Sequence, residues 1–181
     1  MVLLPACKSG QLPEVAFTSS LGTIIAEIDT IHAPVTAGNF LMLVDSGVYR
    51  GACFYRVVRE NNQPFNKIRI EVIQGGLLND SLIETFPGIF HESTKITGIR
   101  HLNGTISMAR NEPGTASTEF FICIGDQPDL DYGGRRNPDG EGFAAFGRVT
   151  EGMDVVKAIQ QLQDTSQFLL RPVPVSVSRI R

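Results

Sequence analysis

A chain of 181 residues with 42% apolar residues is long enough for one domain with a real core. A formal net charge of −3 excludes a general attraction to nucleic acid, and no apolar run reaches the length of a membrane-spanning helix. The 18 glycines and 10 prolines suit a loop-rich β fold.

Residues 1–13 read as a flexible lead-in to a single domain over 14–181. The start, Met1 to Cys7, has two readings. One is a remnant of a bacterial lipoprotein-type signal, which implies the periplasm or cell envelope. The other is a chance apolar run, which leaves the cytoplasm open. Cys7, Cys53 and Cys123 make no metal spacing. Cys53 and Cys123 fall inside strand patterns, so they are expected as buried free thiols.

Strands are expected over 15–19 and 23–29, joined by a tight turn at Ser20, Leu21 and Gly22. Pro34 fits the first turn of a helix that presents Phe40, Leu41, Leu43 and Val44 on an apolar face and stops at Gly47. A strand over 53–58 leads into a polar loop at 59–66, and another strand over 68–74 ends at Gly75 and Gly76. Residues 77–98 read as irregular, with His91 and Glu92 in an exposed turn.

In 104–124, Ile106 and Met108 alternate with Ser107 and Ala109, and Phe120, Ile122 and Ile124 alternate with Phe121 and Cys123. A polar loop over 110–119 lies between them. A second long loop spans 127–142, followed by a strand over 143–149 and an amphipathic helix over 152–162. Val173, Val175 and Val177 alternate as a last strand, which Pro174 places at an edge or a strand start. Many short strands with two helices point to a barrel or sandwich with helical covers.

The run from Ser107 to Arg110, the short polar loop and then Thr118 to Ile122 resemble the signature of the cyclophilin-type peptidyl-prolyl cis/trans isomerases. Phe54–Val58, Val72–Gly76 and Phe146–Val156 resemble further motifs of that family, in the same order, and the likeness extends over about 15–162. It implies a mainly β fold: a closed eight-stranded antiparallel β-barrel capped by two α-helices. It also implies an enzyme that accelerates rotation about Xaa–Pro bonds and assists protein folding, without a covalent intermediate and without a cofactor.

Rotation about such a bond faces a barrier of about 18–20 kcal/mol, because amide resonance must be broken. A catalyst must bind the twisted amide better than either planar form. It needs an apolar pocket for the ring, a fixed donor aimed at the prolyl nitrogen and polar groups for the flanking backbone. Lowering the barrier by about 7 kcal/mol corresponds to roughly a 10⁵-fold gain.

Arg56, a charge in an apolar strand, is the expected catalytic donor; its plainer reading is a solvent-facing edge arginine. Period two places Phe54 and Val58 on its face. The resemblance makes Phe54, Val72, Gln74, Ala109, Arg110, Asn111, Glu119, Phe121, Leu130 and Phe143 the substrate-binding set. Gln74 holds substrate backbone, or caps the following glycine turn, or both. Val72, Phe121, Leu130 and Phe143 line the proline pocket. Backbone groups of Ala109, Arg110 and Asn111 pair with the residues before the proline.

Val72, Arg110 and Phe143 stand where many members carry methionine, asparagine and histidine, and the arginine is common in bacterial-type members; two further departures bear on the chemistry. Glu119 replaces a glutamine and is expected either to pair with Arg56 or to compete with substrate, because a carboxylate only accepts. Asp129 stands where many members carry tryptophan or phenylalanine, which implies weak cyclosporin binding. Arg56 and Gln74 are 74 − 56 = 18 positions apart, a longer spacing than usual, and a second insert at 133–142 carries Arg135 and Arg136. Either loop biases substrate choice or is a tolerated surface excursion.

No metal site is expected. His32, His91 and His101 share no ligand spacing, and Gly140 stands where a calcium loop starting at Asp129 needs glutamate. The expected partners are proline-containing polypeptides, with no nucleic acid and no membrane span, and the expected state is a monomer. The competing reading from another class is a proline-peptide binding module on the same fold with little turnover.

Overall fold

The computed structural model describes residues 11–180. The terminal residues, including Cys7 and the signal-like start, lie outside the described residues. The first strands are β1 (Glu14–Ser19) and β2 (Gly22–Ile28), followed by helix α1 (Pro34–Asp45) and then β3 (Cys53–Val58) and β4 (Val72–Gly76). Two single-turn helices follow, α2 (Asp80–Ile83) and α3 (Thr94–Thr97), in the stretch expected to be irregular. The remaining elements are β5 (Thr105–Met108), β6 (Phe120–Cys123), β7 (Ala144–Glu151), α4 (Met153–Gln160), β8 (Asp164–Thr165), β9 (Phe168–Pro174) and β10 (Ser176–Arg179).

All ten strands share one antiparallel sheet in the order β10-β1-β2-β7-β5-β6-β4-β3-β9-β8. The ladders leave β10 and β8 at its ends, but the chain joins the two sides. Only Val175 separates β9, paired to β3, from β10, paired to β1, and its amide donates to the Ala52 carbonyl at 3.0 Å. With β9 and β10 taken as one bent strand and β8 as a short appendage, the ring has the eight strands expected. Register shifts at Ile25/Ala26, Phe54/Arg56 and Ile106/Ser107 supply local twist and curvature. Helix α1 packs against β7 and β10, and α4 against β2, β3 and β4.

Inward-facing residues fill the barrel. Phe17, Phe40, Phe54, Phe120 and Phe146 form its aromatic centre together with Tyr49; Phe17 and Phe120 lie 5.4 Å apart, and Phe40 and Phe146 5.0 Å. A second, smaller cluster of Val58, Ile70, Val72, Phe121, Cys123 and Leu130 packs on the outer face. The division follows the pleat: Phe120 and Ile122 of β6 point in, Phe121 and Cys123 point out.

Three local expectations differ. The strand expected over 68–74 begins only at Val72, because side chains take the preceding backbone groups. Gln63 bonds both the amide and the carbonyl of Ile70, and Arg136 donates to the Ile68 carbonyl. Glu92 is buried, not exposed. Its carboxylate accepts from the Val35 and Thr36 amides and the Thr36 hydroxyl, satisfying donors that the first turn of α1 leaves unpaired. The final strand also starts earlier than its alternation indicates, in a hairpin of β8 and β9 whose loop residues, Ser166 and Gln167, have φ of 51° and 76°. Cys53 and Cys123 are free; Cys123 is buried and Cys53 half-buried.

Candidate active site

Strands β5, β6, β4 and β3 lie side by side, and their outward residues floor a cleft of about 370 Å³. Val72, Phe121 and Leu130 are buried at its base, with Ile70 and Phe143 beside them. Phe121 meets Phe143 edge-on at 5.3 Å and stacks on His101 at 6.0 Å. The base of the cleft is thus apolar. Arg56, Gln74, Ala109, Arg110, Asn111 and Glu119 line the rim.

Arg56 is held in place by neutral acceptors. Its Nε and Nη2 donate to Gln167 Oε1 at 3.1 and 2.6 Å, and its Nη1 donates to Gln74 Oε1 at 2.8 Å. No carboxylate pairs with it among the described residues, so the guanidinium keeps its charge while two amides fix its plane. Burial pushes its pKa down, with a partial offset from Tyr55.

The network continues through Gln74, whose Nε2 donates to the Tyr55 hydroxyl at 2.7 Å. That hydroxyl donates to Glu119 Oε2 at 2.5 Å. Glu119 Oε1 accepts from the Leu77 amide at 2.7 Å. Glu119 therefore does not pair with Arg56. It orients Gln74 through Tyr55, and so reaches Arg56 at third hand. Burial raises the Glu119 pKa against the opposing effect of its donors, and burial and the neighbouring Glu119 push the Tyr55 phenol well up. Gly76, at φ 149°, makes this possible: a Cβ there would overlap the Glu119 carboxylate.

Phe54 requires a correction. It is fully buried inside the barrel against Phe17 and Phe120, and does not reach the cleft. Period two fails between Phe54 and Arg56 because a bulge there inserts Tyr55. Ten of the eleven expected positions line the cleft, and Phe54 alone lies elsewhere.

The Arg110 guanidinium is spent on the cleft wall itself. It grips Asp139 at 2.8 and 2.9 Å and the Gly142 carbonyl at 2.6 Å, and lies over the Phe143 ring at 5.2 Å. It thereby ties the loop over 127–142 to the cleft wall. Asp129 lies outside the cleft, where it pairs with the exposed Arg135 at 3.0 Å. His101 joins Asp131 at 2.8 Å to Ser107 at 2.9 Å, an array like a hydrolytic triad. Ser107 is fully buried, so this array offers no nucleophile and instead supports the Phe121 ring from behind. No group of three or more His, Cys, Asp or Glu suited to a metal ion occurs among the described residues.

Gln167, Tyr55 and Arg136 are among the site residues that the sequence did not reveal. Gln167 sits 111 positions from Arg56 in an unrecognised hairpin turn, and nothing local to it signals a partner. A bulge hid Tyr55. Arg136 was visible only as part of an inserted basic pair.

Comparison with known proteins bears on this geometry. Residues 14–180 match the family described as cyclophilin type peptidyl-prolyl cis-trans isomerase/CLD. A Streptomyces antibioticus peptidyl-prolyl cis-trans isomerase is 37% identical, covering 89% of this chain and 91% of its own. Peptidyl-prolyl cis-trans isomerase A of Dickeya dadantii is 36% identical over 94% of this chain and 83% of its own. A Cryptosporidium parvum cyclophilin crystal structure superposes with a TM-score of 0.73 at 18% identity, covering 93% of this chain and 98% of that one, which speaks to the fold. The same protein solved in the presence of the dipeptide Ala-Pro gives a TM-score of 0.72. The barrel, the cleft on its outer face and the match along nearly the whole chain lead to one assignment: this chain belongs to the cyclophilin-type peptidyl-prolyl cis-trans isomerases.

Proposed function

We propose that isomerisation takes place in the cleft over β6 and β4, with Arg56 as the catalytic group. The observation that carries this reading is the fixed, unneutralised Arg56 guanidinium at the rim of the apolar pocket. The proline ring rests on Phe121 between Val72, Leu130 and Phe143. Rotation removes conjugation from the prolyl nitrogen and leaves a lone pair on it. Arg56 donates to that lone pair and so favours the twisted amide over both planar forms. Gln74 holds Arg56 and substrate backbone together, and Ala109 to Asn111 pair with the residues before the proline. No proton is transferred and no covalent bond forms.

Proline-containing polypeptides are the substrates, in keeping with the Ala-Pro dipeptide present with the Cryptosporidium relative. The unit over 14–181 acts as one monomeric domain. Asp129 offers no aromatic face to the cleft, so cyclosporin binds weakly; inhibition at a stoichiometric dose overturns that point.

Arg56→Lys tests the mechanism. A lysine keeps the charge but loses the planar fork, and its shorter, flexible donor is not fixed by two amides. Exchange spectroscopy on an Ala-Pro peptide should show kcat/KM reduced by about 10²-fold, with peptide still bound. Wild-type rates in Arg56→Lys defeat the role given to the guanidinium.

A further inference from the structure

Of the three arginines that line the cleft, Arg136 is the one that the mechanism above does not use. Arg136, on the inserted loop, lines the same cavity as Arg56. Its Nη1 donates to the Ile68 carbonyl at 2.6 Å and to Gln63 Oε1 at 3.2 Å, so it too is held by neutral acceptors. Carboxylates of the cleft and its bordering loops are engaged elsewhere. Asp129 pairs with Arg135, Asp139 with Arg110 and Glu60 with Arg69, while Glu119 serves Tyr55 and the Leu77 amide. Neither Arg56 nor Arg136 has an ion-pair partner among the described residues. Burial lowers the Arg136 pKa, and the Arg56 charge lowers it further, which places the two cations within each other's field.

The placement also gives direction. Ala109 and Asn111 lie at the end of β5, and β6, β4 and β3 follow across the floor. Arg136 docks on Ile68 and Gln63, which adjoin β4 and β3. A peptide whose residues before the proline lie along Ala109 to Asn111 carries those after the proline towards Arg136. Resting on the proposed binding mode, we propose that Arg136 is a specificity-determining residue that selects Xaa–Pro segments followed by an acidic side chain. A carboxylate there would face two guanidiniums that have no other anionic partner, and a lysine would be repelled by both.

The test uses three peptides, Ala-Ala-Pro-Xaa-Ala with Xaa as Glu, Ala or Lys, followed by exchange spectroscopy. In wild type at low salt, kcat/KM for the Glu peptide should exceed that for the Lys peptide about tenfold, and about 0.5 M salt should shrink the ratio. Arg136→Gln, which keeps a donor for Ile68, should reduce the ratio to roughly twofold, while Arg136→Lys should restore most of it. Arg135→Gln, outside the cleft, should leave the ratio unchanged. Equal turnover of the Glu and Lys peptides by wild type overturns the inference and leaves the Arg56 mechanism standing. So does a preference that survives Arg136→Gln. No exchange on any of the three peptides overturns the mechanism and the inference with it.

Discussion

Gln167 is the residue through which the positioning of Arg56 can be tested without touching Arg56. Its Oε1 accepts from Nε and Nη2, which together with the Gln74 contact to Nη1 fixes the plane of the guanidinium and leaves one N–H on each of Nη1 and Nη2 unused within the chain. In Gln167→Asn the side chain shortens by one carbon–carbon bond, about 1.5 Å, enough to break both contacts. Asparagine tolerates the φ of 76° at this turn, so the hairpin should stay intact. A hydrogen bond to a charged group contributes about 1.5–3 kcal/mol. The Gln74 contact at 2.8 Å remains and retains part of the orientation. A loss of about 1.4 kcal/mol at the transition state is therefore expected, a tenfold fall. Because the substrate is not touched directly, kcat should fall with kcat/KM. Peptide exchange spectroscopy reads the rate, and a thermal melt checks the fold. A folded Gln167→Asn protein within twofold of wild type refutes the positioning role.

Other substitutions separate the barrel interior from the cleft. Phe54→Ala should destabilise by about 3–5 kcal/mol in urea unfolding, because it opens a void among Phe17 and Phe120. Phe121→Leu should raise KM more than it lowers stability, since the lost ring faces both the cleft and His101; a pure stability loss with unchanged KM contradicts the pocket assignment. For Glu119, the folded state holds the proton more tightly than the unfolded chain, so its contribution to stability falls as pH rises through the raised carboxyl range. Urea midpoints of wild type relative to Glu119→Gln should accordingly drop with rising pH, and a flat difference counts against a carboxyl whose burial favours its protonated form. Gly76→Ala should expel the Glu119 carboxylate and loosen Gln74, which activity and melting temperature should both register.

What the sequence discloses follows the range of its signals. Alternation in β6 separates Phe120 from Phe121, and so the core from the cleft, because a two-residue period needs only local information. The same rule misplaces Phe54, since one bulge in β3 reverses the faces and leaves no compositional mark. The eight-strand ring is implied by the family resemblance, but its closure depends on the link at Val175, where β9 becomes β10; Pro174 marks an edge or a strand start there but does not say which strands the two halves pair with. Gln167 is invisible for a different reason. Its hairpin turn lacks the Asn-Gly or Asp-Gly pair that usually supplies two positive φ angles, so neither the turn nor its partner could be inferred. Glu119 was recognisable as a departure, but its choice of Tyr55 over Arg56 depended on that same bulge.

The most direct measurement is exchange spectroscopy on an Ala-Pro peptide with wild type and Arg56→Ala side by side. Loss of a preorganised charged donor at the transition state should reduce exchange by about 10²- to 10³-fold, while Phe121 and its neighbours still hold the ring. Exchange that persists at the wild-type rate in Arg56→Ala contradicts catalysis through that guanidinium.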